Sequence, residues 1–180
     1  MWSKPVTVEA PAVEPILLNQ AKQFLRLDED EDGFDGELGV HIAGARGKIE
    51  SLTSTRMIQQ TVEIQAESFA DLALLPIGPV TSILDVSYLD RDGVVQSIDA
   101  DALDLVGTGL EVGIQLRTGR WPSLPLRSRV NVRLVVGYGP DGSTMPESVR
   151  IGMLLQIRAL FDGGDVDLDH WLVDDRIWLI

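Results

Sequence analysis

Apolar and polar positions alternate most cleanly at residues 130–136, where Val130, Val132, Leu134 and Val136 stand against Asn131 and Arg133. That period of two predicts a strand with one buried face. A similar alternation at Ile58, Val62, Ile64 and Ala66 predicts another, with Gln60 out of phase. The stretch 74–93, LLPIGPVTSILDVSYLDRDG, reads as a strand end, a proline-bracketed corner, a strand and a hairpin turn. Leu84, Val86 and Tyr88 are expected on one face of that strand. Ile83 breaks the phase and predicts a bulge or a strand covered on both sides. Asp90-Arg91-Asp92-Gly93 fits a type I turn, with Asp first and Gly fourth. Short strands are expected at 94–98, 103–106 and 112–116, with Trp121-Pro122 in a loop.

Helical spacing frames these strands. Leu18, Ala21 and Leu25 predict a first helix over 18–27. Phe34, Leu38, Ile42, Ala45, Ile49 and Leu52 predict a second over about 34–52, and an acidic linker, Asp28 to Asp32, joins the two. Gly36, Gly39, Gly44 and Gly47 each cost that helix about 1 kcal/mol relative to Ala, so another backbone is expected close against it. Pro146 suits the first position of a final helix reaching Phe161. That helix is apolar nearly all round, which predicts burial on more than one side. Residues 1–15 look like an extended arm with no packed face of their own. After Gly163-Gly164, acids interleave with Trp171, Leu172, Val173, Ile177 and Trp178. This acidic, aromatic tail (163–180) is expected to be a docking segment or, alternatively, to fold back on its own domain. Residues 1–162 are then one domain of α+β class: two N-terminal helices and a C-terminal helix in a small bundle, with an antiparallel sheet inserted between them.

Composition narrows the function. With 180 residues, 44% of them apolar, the chain is long enough to bury roughly 70% of its unfolded surface. No apolar run approaches the ~20 residues of a membrane span. The absence of cysteine removes thiolate catalysis, disulfides and cysteine-ligated metals, and it fits a reducing cytoplasm. A net charge of −13 argues against a broad basic face for nucleic acid. It fits either solubility or a surface that must stay clear of a polyanion.

Three patterns bear on chemistry. Asp28-Glu29-Asp30-Glu31-Asp32-Gly33 matches the first half of a calcium loop, but its twelfth position, where calcium needs a bidentate acid, is Gly39. An acidic linker capping the next helix explains the same residues. Gly137-Tyr138-Gly139-Pro140-Asp141-Gly142 satisfies G-x-G-x-x-G, yet Pro140 removes a donor from any phosphate cradle and no ribose-binding acid follows a further strand. His41 and His170 lie far apart in sequence, with no nucleophile motif beside either. No catalytic residue, cofactor site or metal site is assigned. A soluble small-ligand or calcium-binding module without enzymatic activity stays open as an alternative.

A set of short pieces recurs in a definite order: Ala21-Lys22, Leu25-Arg26-Leu27-Asp28, Ala45-Arg46, Ile49-Glu50, Thr53 and Arg56. Next come Leu75-Pro76, Pro79-Val80, Ile83, Val86, Tyr88-Leu89-Asp90 with Gly93, and Trp121-Pro122. Val136-Gly137-Tyr138-Gly139 and Pro146 with Val149-Arg150 complete it. This order, from about Pro15 to Phe161, resembles the head–tail connector family of tailed bacteriophages and gene transfer agents, also called head-completion or adaptor proteins. Leu17 departs from it where a serine or threonine usually caps the first helix. The glycines of the second helix depart where alanines are more common. The resemblance implies a non-enzymatic virion protein at the head–tail interface, assembled in the host cytoplasm. It would form a ring of about twelve copies on the portal protein, with a tail-side completion or stopper protein beneath. DNA would pass through the lumen without specific binding. It further implies that Ile151 and Leu155, on the second apolar side of the last helix, meet a neighbouring subunit. Either the N-terminal arm (1–15) or the tail clasps the portal; the tail candidates are Trp171, Leu172, Ile177 and Trp178, and removal of 163–180 is expected to weaken that docking and leave the fold intact.

Overall fold

The structure, a computed structural model, describes residues 1–178. Among the described residues three α-helices and antiparallel sheets make an α+β fold. The chain forms two compact units. One contains Met1–Ala10, Gln59–Gly137 and the chain from Ile177; the other contains Pro11–Ile58 and Tyr138–Arg176. Among the described residues no helix is long and apolar enough to cross a membrane.

The first unit is built on β1 (Val6–Glu9), β2 (Gln60–Ala66), β3 (Val80–Leu89), β4 (Val95–Asp99), β5 (Leu103–Thr108), β6 (Glu111–Leu116) and β7 (Val130–Val136). Five of them form an antiparallel sheet in the order β1-β2-β7-β3-β4, and β5 pairs with β6. The regular alternation of β7 places it at the centre, where Val130, Val132, Leu134 and Val136 are fully buried. Its neighbour β2 sits in continuous register, from Gln60 opposite Val136 to Ala66 opposite Val130.

In β3 the register with β7 slips between Ile83 and Asp85, so Leu84 is the extra residue. The expected bulge is present; Val86 and Tyr88 pack on the core as expected, and only Leu84, the bulged residue, departs from that face. Ile83 and Val86 pack on the core and Leu84 is turned out, 41% exposed. A bulge adds one residue to a period of two, so everything before it changes sides. The turn after β3 closes through the Gly93 N–H to the Asp90 carbonyl at 3.1 Å. The Asp90 carboxylate accepts the N–H groups of Val94 and Asp92, each at 2.9 Å. A short 3-10 helix, Phe69–Ala73, caps the core with Phe69 and Leu72. There Gly113 of β6 is indispensable, because a Cβ would stand 2.2 Å from the Ala73 carbonyl oxygen.

Residues 1–15 are extended, yet their start has a packed face, contrary to expectation. β1 adds to the edge of β2, Trp2 bridges to Ala66, and Trp2 packs on the sheet's core. All four β1 side chains remain exposed, which is why no apolar period marked the strand.

The second unit packs α1 (Leu18–Leu25), α2 (Asp35–Thr53) and α3 (Glu147–Phe161) around Leu38, Ile42, Ile49, Met153 and Ile157. Pro146 occupies the N-cap of α3, one position before the expected start. At α1, Leu17 offers no cap, but the Leu17 N–H donates to Gln20 Oε1 at 2.9 Å. The glycines of α2 need a correction. Gly36, Gly39 and Gly47 have nothing within 4 Å of a built Cβ, and Gly44 meets only the tip of Leu160 at 3.8 Å. No backbone lies against them. Gly39→Ala and Gly47→Ala should therefore each stabilise the protein by about 1 kcal/mol, by relieving backbone entropy without a clash. The shift in urea midpoint measures it.

Of the two expectations for the tail, the described residues fit the one in which it folds back on its own domain. The N–H groups of Trp171 and Leu172 both donate to the Leu168 carbonyl at 3.1 Å, forming a single turn. This sets Leu168 and Leu172 on one side, 3% and 0% exposed in the helical core. The segment folds back on its own unit.

Candidate functional site

Several polar residues that carried the family resemblance, Lys22, Glu50 and Thr53 among them, are buried, while Arg26 and Asp28 stay exposed. Lys22, 4% exposed, places its Nζ 2.6 Å from Asp35 Oδ1 and donates to the Glu29 carbonyl at 3.0 Å. One buried ammonium thus ties down the acidic linker that resembled half a calcium loop. Among the described residues no three His, Cys, Asp or Glu side chains come together to hold a metal. At the far end of α2, Arg46 forms a two-pronged pair with Glu14, at 2.7 and 3.1 Å. Glu50 lies 3.7 Å from Arg46 and 4.0 Å from Arg56, and its Oε1 accepts the Met57 N–H at 3.0 Å. Burial pushes the Glu50 carboxyl up, against the opposing pull of that N–H and of both arginines. Thr53 donates back to the Ile49 carbonyl at 2.8 Å and meets Thr55 at 2.7 Å. Burial, with Asp175 nearby, likewise pushes the Tyr138 phenol up to about 12. These groups pair with one another through the contacts just given. Their role is to close the helical unit where α2 ends.

The other chemical candidates resolve as structure. In the glycine-rich 137–142 segment the Asp141 carboxylate accepts the Ser143 N–H at 2.8 Å, and Gly142 backs onto the Pro15 carbonyl. An acid sits where a dinucleotide would need amide donors. His41 packs edge-on to Phe161 at 6.5 Å, and His170 is exposed. The grooves of the helical unit are open. One of 410 Å³ is lined by Ile16, Gln20, Gln23, Phe24, Arg150 and Leu154, with no acid among them.

The surface carries the remaining signal. Ile151 and Leu155 are half-buried, on the side of α3 away from Val149, Met153 and Ile157. Of the tail candidates, Leu172 and Ile177 (7% exposed) are inside and have no surface to offer a partner. Trp171 and Trp178 are outside, at 55% and 58%. Sequence reasoning missed the loop 117–129, RTGRWPSLPLRSR, which holds four arginines and no acid in a chain of net charge −13. It also missed the loop's anchor. The Trp121 ring stacks on Phe69 at 4.8 Å and 10°, and the Ser128 hydroxyl donates to the Leu89 carbonyl at 3.0 Å. A charge count in a sliding window would have flagged this loop.

Neither a protein-family model nor a curated protein matches the sequence significantly. Similarity appears in solved structures. A chain in the neck of an empty gene transfer agent particle, solved with C6 symmetry, is 19% identical at a TM-score of 0.80, over 99% of this chain and 97% of that one. One in the virion of a native gene transfer agent particle is 20% identical at 0.79, with 99% and 97% covered. One in the neck of the native particle, solved with C12 symmetry, is 20% identical at 0.73, with 97% of each covered. This chain has their fold.

Proposed function

We propose that this chain is a structural component of a virion neck: an adaptor that assembles as a ring on the portal vertex, joins the DNA-filled head to the tail, and lines part of the DNA channel. The observation that carries the reading is the fold itself. It matches neck chains of gene transfer agent particles across 99% of this chain, at 0.80. C12 symmetry in one such neck is what a head-to-tail ring of about twelve copies would have. Two features fit a ring of this kind. Ile151 and Leu155 leave an apolar side of α3 half-covered, as a subunit interface requires. The net charge of −13 would make a channel wall built from such copies repel the phosphates of passing DNA, within a Debye length of about 8 Å at physiological salt.

Trp171 and Trp178 are the exposed members of the tail set, and this reading assigns Trp178 to the portal. The mechanism is geometric and uses no enzymatic step. The test is particle mass after mixing the chain with the portal protein encoded beside it. A discrete increase equal to many copies per portal is the expected result. No association at any salt concentration would overturn the reading.

A further inference from the structure

We infer that the arginine loop 117–129 of one copy docks on the acidic, aromatic tail segment 162–175 of the next copy. This inference rests on the ring reading and names a contact within it. Two surfaces on one chain complement each other in charge and in apolar content. The loop places Leu126 at its tip, 93% exposed, beside Arg127, with Arg120 exposed nearby. Arg117 is already held by Asp104 at 2.8 Å and Arg129 lies 3.5 Å from Glu67. Among the described residues Arg120 and Arg127 have no such partner. The loop is held in shape by Trp121 stacked on Phe69, by the Ser128 hydroxyl, and by a turn from the Ser128 N–H to the Pro125 carbonyl at 3.1 Å. Arg127 itself stands in the left-handed region, at φ 69°, a conformation that costs about 1 kcal/mol or more and persists when its surroundings hold it.

The tail segment is the counterpart. Residues 162–175 contain six aspartates and no lysine or arginine. Lys48 takes Asp165 and Arg176 takes Asp169. Asp167 and Asp174 are exposed with no cation in reach among the described residues. Beside them Trp171 and Val173 are 55% and 46% exposed. An apolar tip flanked by guanidinium groups, meeting an indole flanked by carboxylates, is a complementary pair. Because the two patches differ, their pairing between copies is heterologous, the kind that closes into a ring. Duplex DNA is the weaker fit. Two uncompensated arginines neutralise few phosphates, and Leu126 at the tip finds no partner on a phosphate backbone.

The chain lacks cysteine, so engineered cysteines report without background. In assemblies formed with the portal protein, the double variant Leu126→Cys/Val173→Cys treated with a short bis-maleimide should give a ladder of linked chains, and each single variant only monomers. Arg120→Glu/Arg127→Glu should weaken assembly about tenfold, and mixing it with Asp167→Arg/Asp174→Arg should restore it. Assemblies that form normally, without a ladder and without sensitivity to charge reversal, overturn this contact and leave the ring reading standing. No assembly at any salt overturns both. If Arg120→Glu/Arg127→Glu instead abolishes binding of a fluorescent DNA duplex while assembly is unchanged, the loop is a phosphate surface and the contact is wrong.

Discussion

Deletion of residues 163–180 is expected to destabilise the helical unit, not merely to strip a docking segment from an intact fold. Leu168 and Leu172 are 3% and 0% exposed in the same core as Leu38, Ile49, Met153 and Ile157. Leu172 reaches within 3.4 Å of the point where a Cβ on Gly152 of α3 would stand. Replacing one such leucine by alanine costs about 2–5 kcal/mol, through lost transfer energy and the cavity left behind. Deletion removes both leucines and uncovers the side of α3 they shield. Total stabilities of about 5–15 kcal/mol leave little margin for that. The measurement is denaturant unfolding followed by circular dichroism, with Leu172→Ala and Trp171→Ala beside the deletion. Leu172→Ala should lower the midpoint clearly. Trp171→Ala, one residue away and 55% exposed, should stay within about 0.5 kcal/mol. Equal, small effects from both would mean that the tail is not part of the core. The same pair separates folding from docking, since only the tryptophan variant tests a partner surface on a folded chain.

Glu50→Ala should cost about 2–4 kcal/mol. The substitution orphans the buried Met57 N–H, worth about 1–3 kcal/mol, and leaves Arg56 beside a site with no counter-charge. The total falls below the roughly 3–5 kcal/mol of a fully buried pair, because the arginine contacts are long, 3.7 and 4.0 Å, and both arginines keep some solvent. The pH dependence separates the two parts. Burial raises the Glu50 carboxyl in the folded state above its unfolded value. Between the two values the native state binds the extra proton, so this contribution is complete below the unfolded value and is lost as pH rises through the folded one. Glu50→Gln keeps an oxygen acceptor for Met57 and removes the titration. It should cost less than Glu50→Ala and flatten the fall of stability through the carboxylate range. An unchanged pH profile in Glu50→Gln would show that Glu50 titrates normally.

The residues that carried the family resemblance were legible as a pattern before their job was. Lys22, Arg46, Glu50, Thr53 and Arg56 stand at helical spacing, which locates them along α1, α2 and the turn that follows. Spacing does not say that Glu50 would receive the Met57 N–H seven residues on, or that Glu14 would reach Arg46. These are meetings between segments, and composition leaves them open. The tail is the sharper case. Trp171 and Leu172 are adjacent and equally apolar in the sequence, yet one is outside and the other inside. A segment of one turn has too few residues to show a period, so its buried side is chosen by what it meets.

Most elements could be read from the residues alone: the central strand at 130–136 from its alternation, the three helices from their spacing, the start of the last helix from Pro146, and the presence of a bulge near Ile83. Local sterics and the burial of one face act over a few residues, and that is the range over which a pattern can be read. The remaining features depend on how distant segments pack. That packing set which side of the bulge faces the core, joined β1 to the sheet edge more than fifty residues away in sequence, seated Leu172 in the helical core, and anchored the arginine loop through Trp121 on Phe69. Each of these depends on a partner distant in the chain, where many placements bury similar apolar area and close packing selects one.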